Sequence, residues 1–102
     1  LNYLSITYMP DIYVITPHTR QRAKALGVSV KPSTKPDKKI DVIRNGDVIA
    51  SVGGKGYKDY GMYLATEGKK VADMKRASYK SRHAKDLRVK NSPGYWANAL
   101  LW

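Results

Sequence analysis

The chain has 102 residues, 42% hydrophobic and 26% charged, with 19 Lys and Arg against 8 Asp and Glu and a formal net charge of +11. That length suits one domain, residues 1–102, with a single modest core. The composition excludes wholesale disorder, and the absence of cysteine excludes disulfides, thiolate metal sites and cysteine nucleophiles. The charge points to an anionic partner, and no run reads as a membrane span or a secretory signal.

The chain opens at Leu1, where Met would be expected, and Met9 is an alternative start. Residues 1–8 have the composition of an extra N-terminal strand or extension. Residues 11–16, Asp-Ile-Tyr-Val-Ile-Thr, predict a strand ended by Pro17. Helix formers over 19–26, with Thr19 as N-cap and Gly27 as stop, predict a short helix carrying Arg20, Arg22 and Lys24. Val-Ser-Val at 28–30 returns as a strand. Residues 31–39 hold two prolines and no apolar periodicity, and predict an exposed loop.

Two apolar runs flanking Asn45-Gly46 predict a β-hairpin over residues 40–52, because Asn-Gly supplies the two positive φ angles of a type I′ turn. A two-residue loop sets Arg44 opposite Asp47, Ile43 opposite Val48 and Val42 opposite Ile49, which puts apolar pairs on both faces. Gly53-Gly-Lys-Gly56 ends the second strand. It lacks the phosphate-cradling pattern, with Ile49 where its first glycine belongs and Gly56 where Ser or Thr belongs, and reads as a turn permitting close approach. Tyr57, Tyr60 and Tyr63 follow at three-residue spacing, which suits a helical turn or a packed loop. A longer basic helix is predicted from about residue 67 to 87, with Val71, Met74, Ala77, Ala84 and Leu87 as its apolar stripe. Ser92 caps a short C-terminal helix with Pro93 at its first position. The order of elements predicts a small α+β fold: a mainly antiparallel sheet with a central hairpin, one longer basic helix and a short C-terminal helix.

The densest charge lies in residues 69–90, where Lys69, Lys70, Lys75, Arg76, Lys80, Arg82, Lys85, Arg88 and Lys90 face only Asp73 and Asp86. Lys and Arg neutralise phosphates and release counterions, and an acidic protein surface would attract them equally. Tyr79 within the run and the three tyrosines before it permit base stacking. Spread around a helix, these charges suit contact that ignores sequence. Tyr95, Trp96, Leu100, Leu101 and Trp102 concentrate aromatic and apolar area at the end of the chain, as core or as partner-docking anchors. His83 with Asp86 or Asp59 offers a weak nuclease reading. Asp41 reads as an outward strand residue and Asp47 as a turn residue, and His18 and His83 lack the carboxylates of a metal site. No catalytic pair, cofactor or metal is expected.

The stretch Tyr79-Lys-Ser-Arg-His83 with Lys85-Asp86, then Ser92-Pro-Gly-Tyr-Trp-Ala and Leu100-Leu-Trp102, resembles small basic proteins of unknown function from large DNA viruses of the phycodnavirus and giant-virus kind. Pro17-His-Thr-Arg-Gln-Arg-Ala23, Lys39-Ile-Asp-Val42, Gly53 and the Tyr57–Tyr60 stretch extend the resemblance over most of the chain after Met9. The resemblance implies a virion protein made in the host cell, with viral coat protein, nucleic acid or both as partners. The first expectation is therefore a non-enzymatic minor capsid, cement or internal basic component that docks through the basic helix and the aromatic tail. The alternative is a sequence-nonspecific nucleic-acid-binding protein.

Overall fold

The computed structural model describes residues 13–102, apart from the side chain of Asp86. The strand expected at residues 1–8 and the first part of the one at 11–16 lie outside the described residues. Residues 13–16 form no strand, yet Tyr13 and Ile15 are buried around an exposed Val14. The alternation in the sequence is real, but these side chains enter the core while their backbone joins no ladder.

Helix α1 spans Pro17–Leu26 and stops at Gly27 in the left-handed conformation. Its cap is Thr16, whose hydroxyl accepts from the Thr19 N–H at 3.3 Å. Thr19, expected as the cap, lies inside the first turn and is buried. Strands β1 (Ser29–Pro32), β2 (Lys38–Arg44) and β3 (Asp47–Gly54) form an antiparallel sheet in the order β1-β2-β3. The exposed loop therefore shrinks to residues 33–37, and Lys39, placed in it by its prolines and charges, becomes a buried residue of the central strand.

Asn45 and Gly46 take φ angles of 54° and 82°, as the type I′ turn requires. Arg44 faces Asp47 and Ile43 faces Val48, but Val42 faces Ala50 because a bulge passes over Ile49. The slip of one residue restores Val52 to the core opposite Ile40 and leaves Val48 and Ile49 exposed, so the hairpin does not carry apolar pairs on both faces. Asp41 is buried rather than outward, and accepts from the Ser51 hydroxyl at 2.7 Å.

The longer basic helix expected at about 67–87 is present over 69–82, followed by a separate turn, and Tyr60 and Tyr63 before it lie on a helix of their own. Helix α2 spans Tyr60–Glu67, Gly68 at φ 90° separates it from α3 (Lys69–Arg82), and a short 3-10 turn covers Asp86–Arg88. Ala72 is the buried residue of α3, with Arg76 and Tyr79 half-buried near it, while Met74 of the expected stripe is exposed. Helix α4 (Pro93–Leu101) has the expected Ser92 cap and Pro93 start.

The core gathers Tyr13, Ile15, Ala23, Val28, Ile40, Val42, Val52, Trp96, Leu100 and Leu101. Trp96, Leu100 and Leu101 were candidate docking anchors, and the fold removes them from the surface. Burying each stabilises the domain by about 1.5–3 kcal/mol, which no unfilled surface site would return. The end of α4 is closed by α1: the Thr19 hydroxyl donates to the Leu100 carbonyl at 2.8 Å and Arg22 Nε to the Ala99 carbonyl at 3.0 Å, satisfying acceptors that a helix leaves open.

Gly53 sits where β3 meets α4. At φ 87° a Cβ here would lie 2.6 Å from Leu101 Cδ1 and 3.1 Å from Lys39 Cβ, so strain and overpacking coincide. Gly53→Ala is expected to lower unfolding free energy by about 2 kcal/mol or more in urea denaturation. Gly56→Ala, whose Cβ would meet nothing within 4 Å, should change it by less than about 0.5 kcal/mol. Equal effects would refute the close-approach account.

Candidate functional site

Beneath the sheet end lies a buried polar knot. Asp59, 1% exposed, caps α2 by accepting the Met62 N–H on Oδ1 at 3.1 Å. Its Oδ2 accepts the Tyr13 hydroxyl at 2.5 Å and the Lys39 ammonium at 3.0 Å. Lys39, 2% exposed, also has its Nζ 5.3 Å from the Tyr13 ring centroid. Burial pushes the Lys39 pKa down against the pull of Asp59. Burial, then the hydrogen bond to Asp59, raises that of Tyr13. Buried, and with both oxygens engaged by the fold, Asp59 is taken up by structural contacts and is poorly placed for the acid or base role in the nuclease reading.

Above this knot opens a groove of about 650 Å³ between the end of the hairpin, α3 and α4, within the size range of ligand sites. One wall is aromatic. Tyr79 stacks on His83 at 4.3 Å and on Trp102 at 4.4 Å with planes 10° apart, and Tyr63 tilts toward Trp102 at 6.3 Å. The spacing explains the wall: Lys75, Tyr79 and Arg82 recur at four and three residues, so they share one face of α3. Burial of Leu100 and Leu101 holds α4 so that half-buried Trp102 emerges beside that face. At the opposite lip, the turn closed by the Tyr57 N–H on the Gly54 carbonyl, 3.2 Å, presents a Tyr57 that is 77% exposed.

The lining carries Lys38, Lys39, Lys58, Lys75 and Arg82 and no Asp or Glu side chain. Lys39 is committed to Asp59. Lys58 bonds Glu67 at 3.1 Å in an exposed pair, which contributes at most about 1 kcal/mol and exchanges readily. Lys58 and Lys75 each lie 5.6 Å from the Tyr63 ring centroid. Among the described residues no carboxylate pairs with Lys38, Lys75 or Arg82.

Of the nine basic residues singled out from the sequence, the structure brings Lys75 and Arg82 into the groove. Lys69 and Arg76 are bound to Asp73 at 2.5 and 3.4 Å, with Arg76 also 4.1 Å from the Tyr60 ring centroid. Lys80 donates to Asn98 Oδ1 at 2.7 Å, and burial followed by the charges of Arg76 and Arg22 lowers its pKa. Lys70, Lys85, Arg88 and Lys90 are exposed outside the groove. Of the aromatic tail, Trp102 lines the groove and Tyr95 sits edge-on to Trp96 at 5.1 Å. Sequence reasoning missed Lys38 and Lys58, whose convergence depends on tertiary packing alone. The tyrosines were noted for stacking; Tyr60 instead is buried and donates to Asp73 at 2.7 Å. His18 packs on Tyr60 at 4.7 Å, and burial, then Arg76 and Arg22, lowers its pKa. Among the described residues no His, Asp and Glu cluster could hold a metal ion, and no helix is long and apolar enough to cross a membrane.

The knot predicts an alkaline stability limit. Because the Tyr13 pKa is raised on folding, its contribution is complete below the unfolded value near 10 and is lost as pH rises above it, by up to about 1.4 kcal/mol per pH unit. Lys39, lowered on folding, acts oppositely, adding stability as pH rises through the window below about 10.4. Urea denaturation from about pH 9 to 11.5 should show a steeper alkaline loss in the wild type than in Tyr13→Phe. Parallel curves would rule the knot out as its source.

The chain matches no protein-family model, no curated protein and no solved structure.

Proposed function

We propose that this protein binds nucleic acid without reading its sequence, through the groove and the basic surface around it. The observation that supports this most is the lining itself: aromatic rings set among lysines and an arginine, with no Asp or Glu side chain in the wall. Phosphates are neutralised by such cations in the same way whatever the bases, and release of their counterions supplies the affinity. The basic helix α3 does not stand free as a reading head, since it packs along α2 and its Tyr79 is held in the stack. Exposed Lys70, Lys85, Arg88 and Lys90 extend the positive field beyond the groove and steer an anionic polymer toward it.

In the virion role suggested by the viral resemblance, the encapsidated genome would be the partner. Docking on acidic coat protein would use the same cations, but it keeps only Tyr95 and Trp102 of the five tail anchors, because the other three are core. The nucleic-acid reading needs none of those three.

Fluorescence anisotropy with labelled DNA should give an affinity that falls steeply with salt. For three neutralised phosphates, a fourfold rise in salt is expected to weaken binding roughly 20-fold on a single strand and 40-fold on a duplex. Lys75→Glu with Arg82→Glu should reduce both the affinity and the salt slope. Binding that ignores salt, or survives this double reversal intact, would sink the proposal.

A further inference from the structure

We infer that the groove receives an unpaired base, so that the preferred partner is single-stranded nucleic acid; this rests on the nucleic-acid reading above and specifies it. In a duplex the bases are stacked on one another and cannot enter a recess, so only phosphates would meet the rim. In a single strand a base can turn inward and offer its π-face to a ring, which every base has. The groove supplies what that needs.

Its depth is set by folded elements and not by mobile side chains. The stack of His83, Tyr79 and Trp102 is fixed from both sides, by the face of α3 and by the buried end of α4. Across from it, Tyr57 is the most exposed ring of the lining, and its Cδ2 would lie 3.0 Å from a Cβ at Gly54, so the glycine leaves room for the ring to rest on the backbone. A volume of about 650 Å³ is ample for a nucleotide within the range of such sites. The cations are distributed around the rings: Lys38 at the sheet end, Lys58 after the turn, and Lys75 and Arg82 on α3. A base among the rings therefore has cations from the strand, the loop and α3 within the same groove for the phosphates before and after it. An acidic polypeptide would satisfy the cations but leave the rings without a planar partner.

The test compares three probes of equal length, about eight nucleotides: oligothymidine, a fully abasic single strand, and a duplex, read by anisotropy and by tryptophan emission. Trp102 lines the groove and Trp96 is buried in the core, so quenching that disappears in Trp102→Phe reports the groove. Oligothymidine is expected to bind more tightly than the abasic strand by between fivefold and 150-fold, about the worth of one stacked base, and to quench Trp102. Tyr57→Ala, which removes an exposed side chain, should reduce the ratio of oligothymidine to abasic affinity at least about threefold; an unchanged ratio would count against the base in the groove. Oligouridine against oligodeoxyuridine, which differ only in the 2′-hydroxyl, asks whether the sugar matters. Equal binding supports the base as the recognised group, and a preference larger than that of oligothymidine over the abasic strand would count against it. Equal affinity for oligothymidine, abasic strand and duplex, with salt dependence intact, overturns this inference and leaves nucleic-acid binding standing. No salt-dependent binding to any probe, or displacement of oligothymidine by polyglutamate at matched charge, overturns both.

Discussion

The contact on which the rest of the structure depends is the buried pair of Lys39 and Asp59 with the Tyr13 hydroxyl. It joins three stretches distant in sequence: the segment before α1, the central strand and the start of α2. Taking two charges out of water is costly, and such a pair is weak support for net stability. Breaking it by removing one partner, however, costs about 3–5 kcal/mol, a large part of the 5–15 kcal/mol typical of a whole domain. Its effect is therefore on geometry. Asp59 caps α2 with one oxygen and grips the sheet with the other, so the direction in which α2 leaves the hairpin is fixed.

That direction decides whether a groove exists. Helix α3 packs mainly on α2, so it stands off from the sheet and reaches α4 through side chains, the Tyr79 stack on Trp102 and the Lys80 bond to Asn98. The space between is the groove. Gly53 belongs to the same arrangement: its missing Cβ lets Leu101 and Lys39 close the floor together. The polar knot, the glycine and the end of α4 converge on one small volume, so sheet, helix pair and C-terminal helix share a single foundation.

Much of this architecture is legible in the sequence because its signals are local. Asn45-Gly46 fixes the turn, Ser92-Pro93 the start of α4, and Gly27 the end of α1. The misreadings share a physical cause, which is competition between local and tertiary signals. Pro32 and Pro36 mark a loop correctly, but charge extended that loop over Lys39, whose burial becomes tolerable only with Asp59, twenty residues away. The bulge at Ile49 leaves no trace in composition, since Ile is a good strand residue either way. Gly68 marks the boundary between α2 and α3, one residue inside the start that the apolar stripe predicts for the basic helix. At the site, helical spacing placed Lys75, Tyr79 and Arg82 on one face, whereas Lys38 and Lys58 reach the groove only through the fold.

The charge distribution then acquires a division of labour. Several acids are already engaged within the domain: Asp41 by Ser51 and Asp59 by Lys39 and Tyr13 in the interior, and Asp73 by Lys69, Arg76 and Tyr60 at the surface. The excess of cations is thus not balanced where it faces solvent, and a net +11 follows the surface. Beyond about 10 Å, salt at moderate concentration screens an exposed charge, so in the proposed function the scattered lysines outside the groove would attract an anionic polymer without holding it in one pose. Holding requires short-range contact with a surface that water leaves on binding, and under the same proposal the stacked rings of the groove would provide it beside their own cations. The proposal thereby assigns attraction and retention to different residues, and the basic run that dominates the sequence would supply most of the first and, through Lys75 and Arg82, only part of the second.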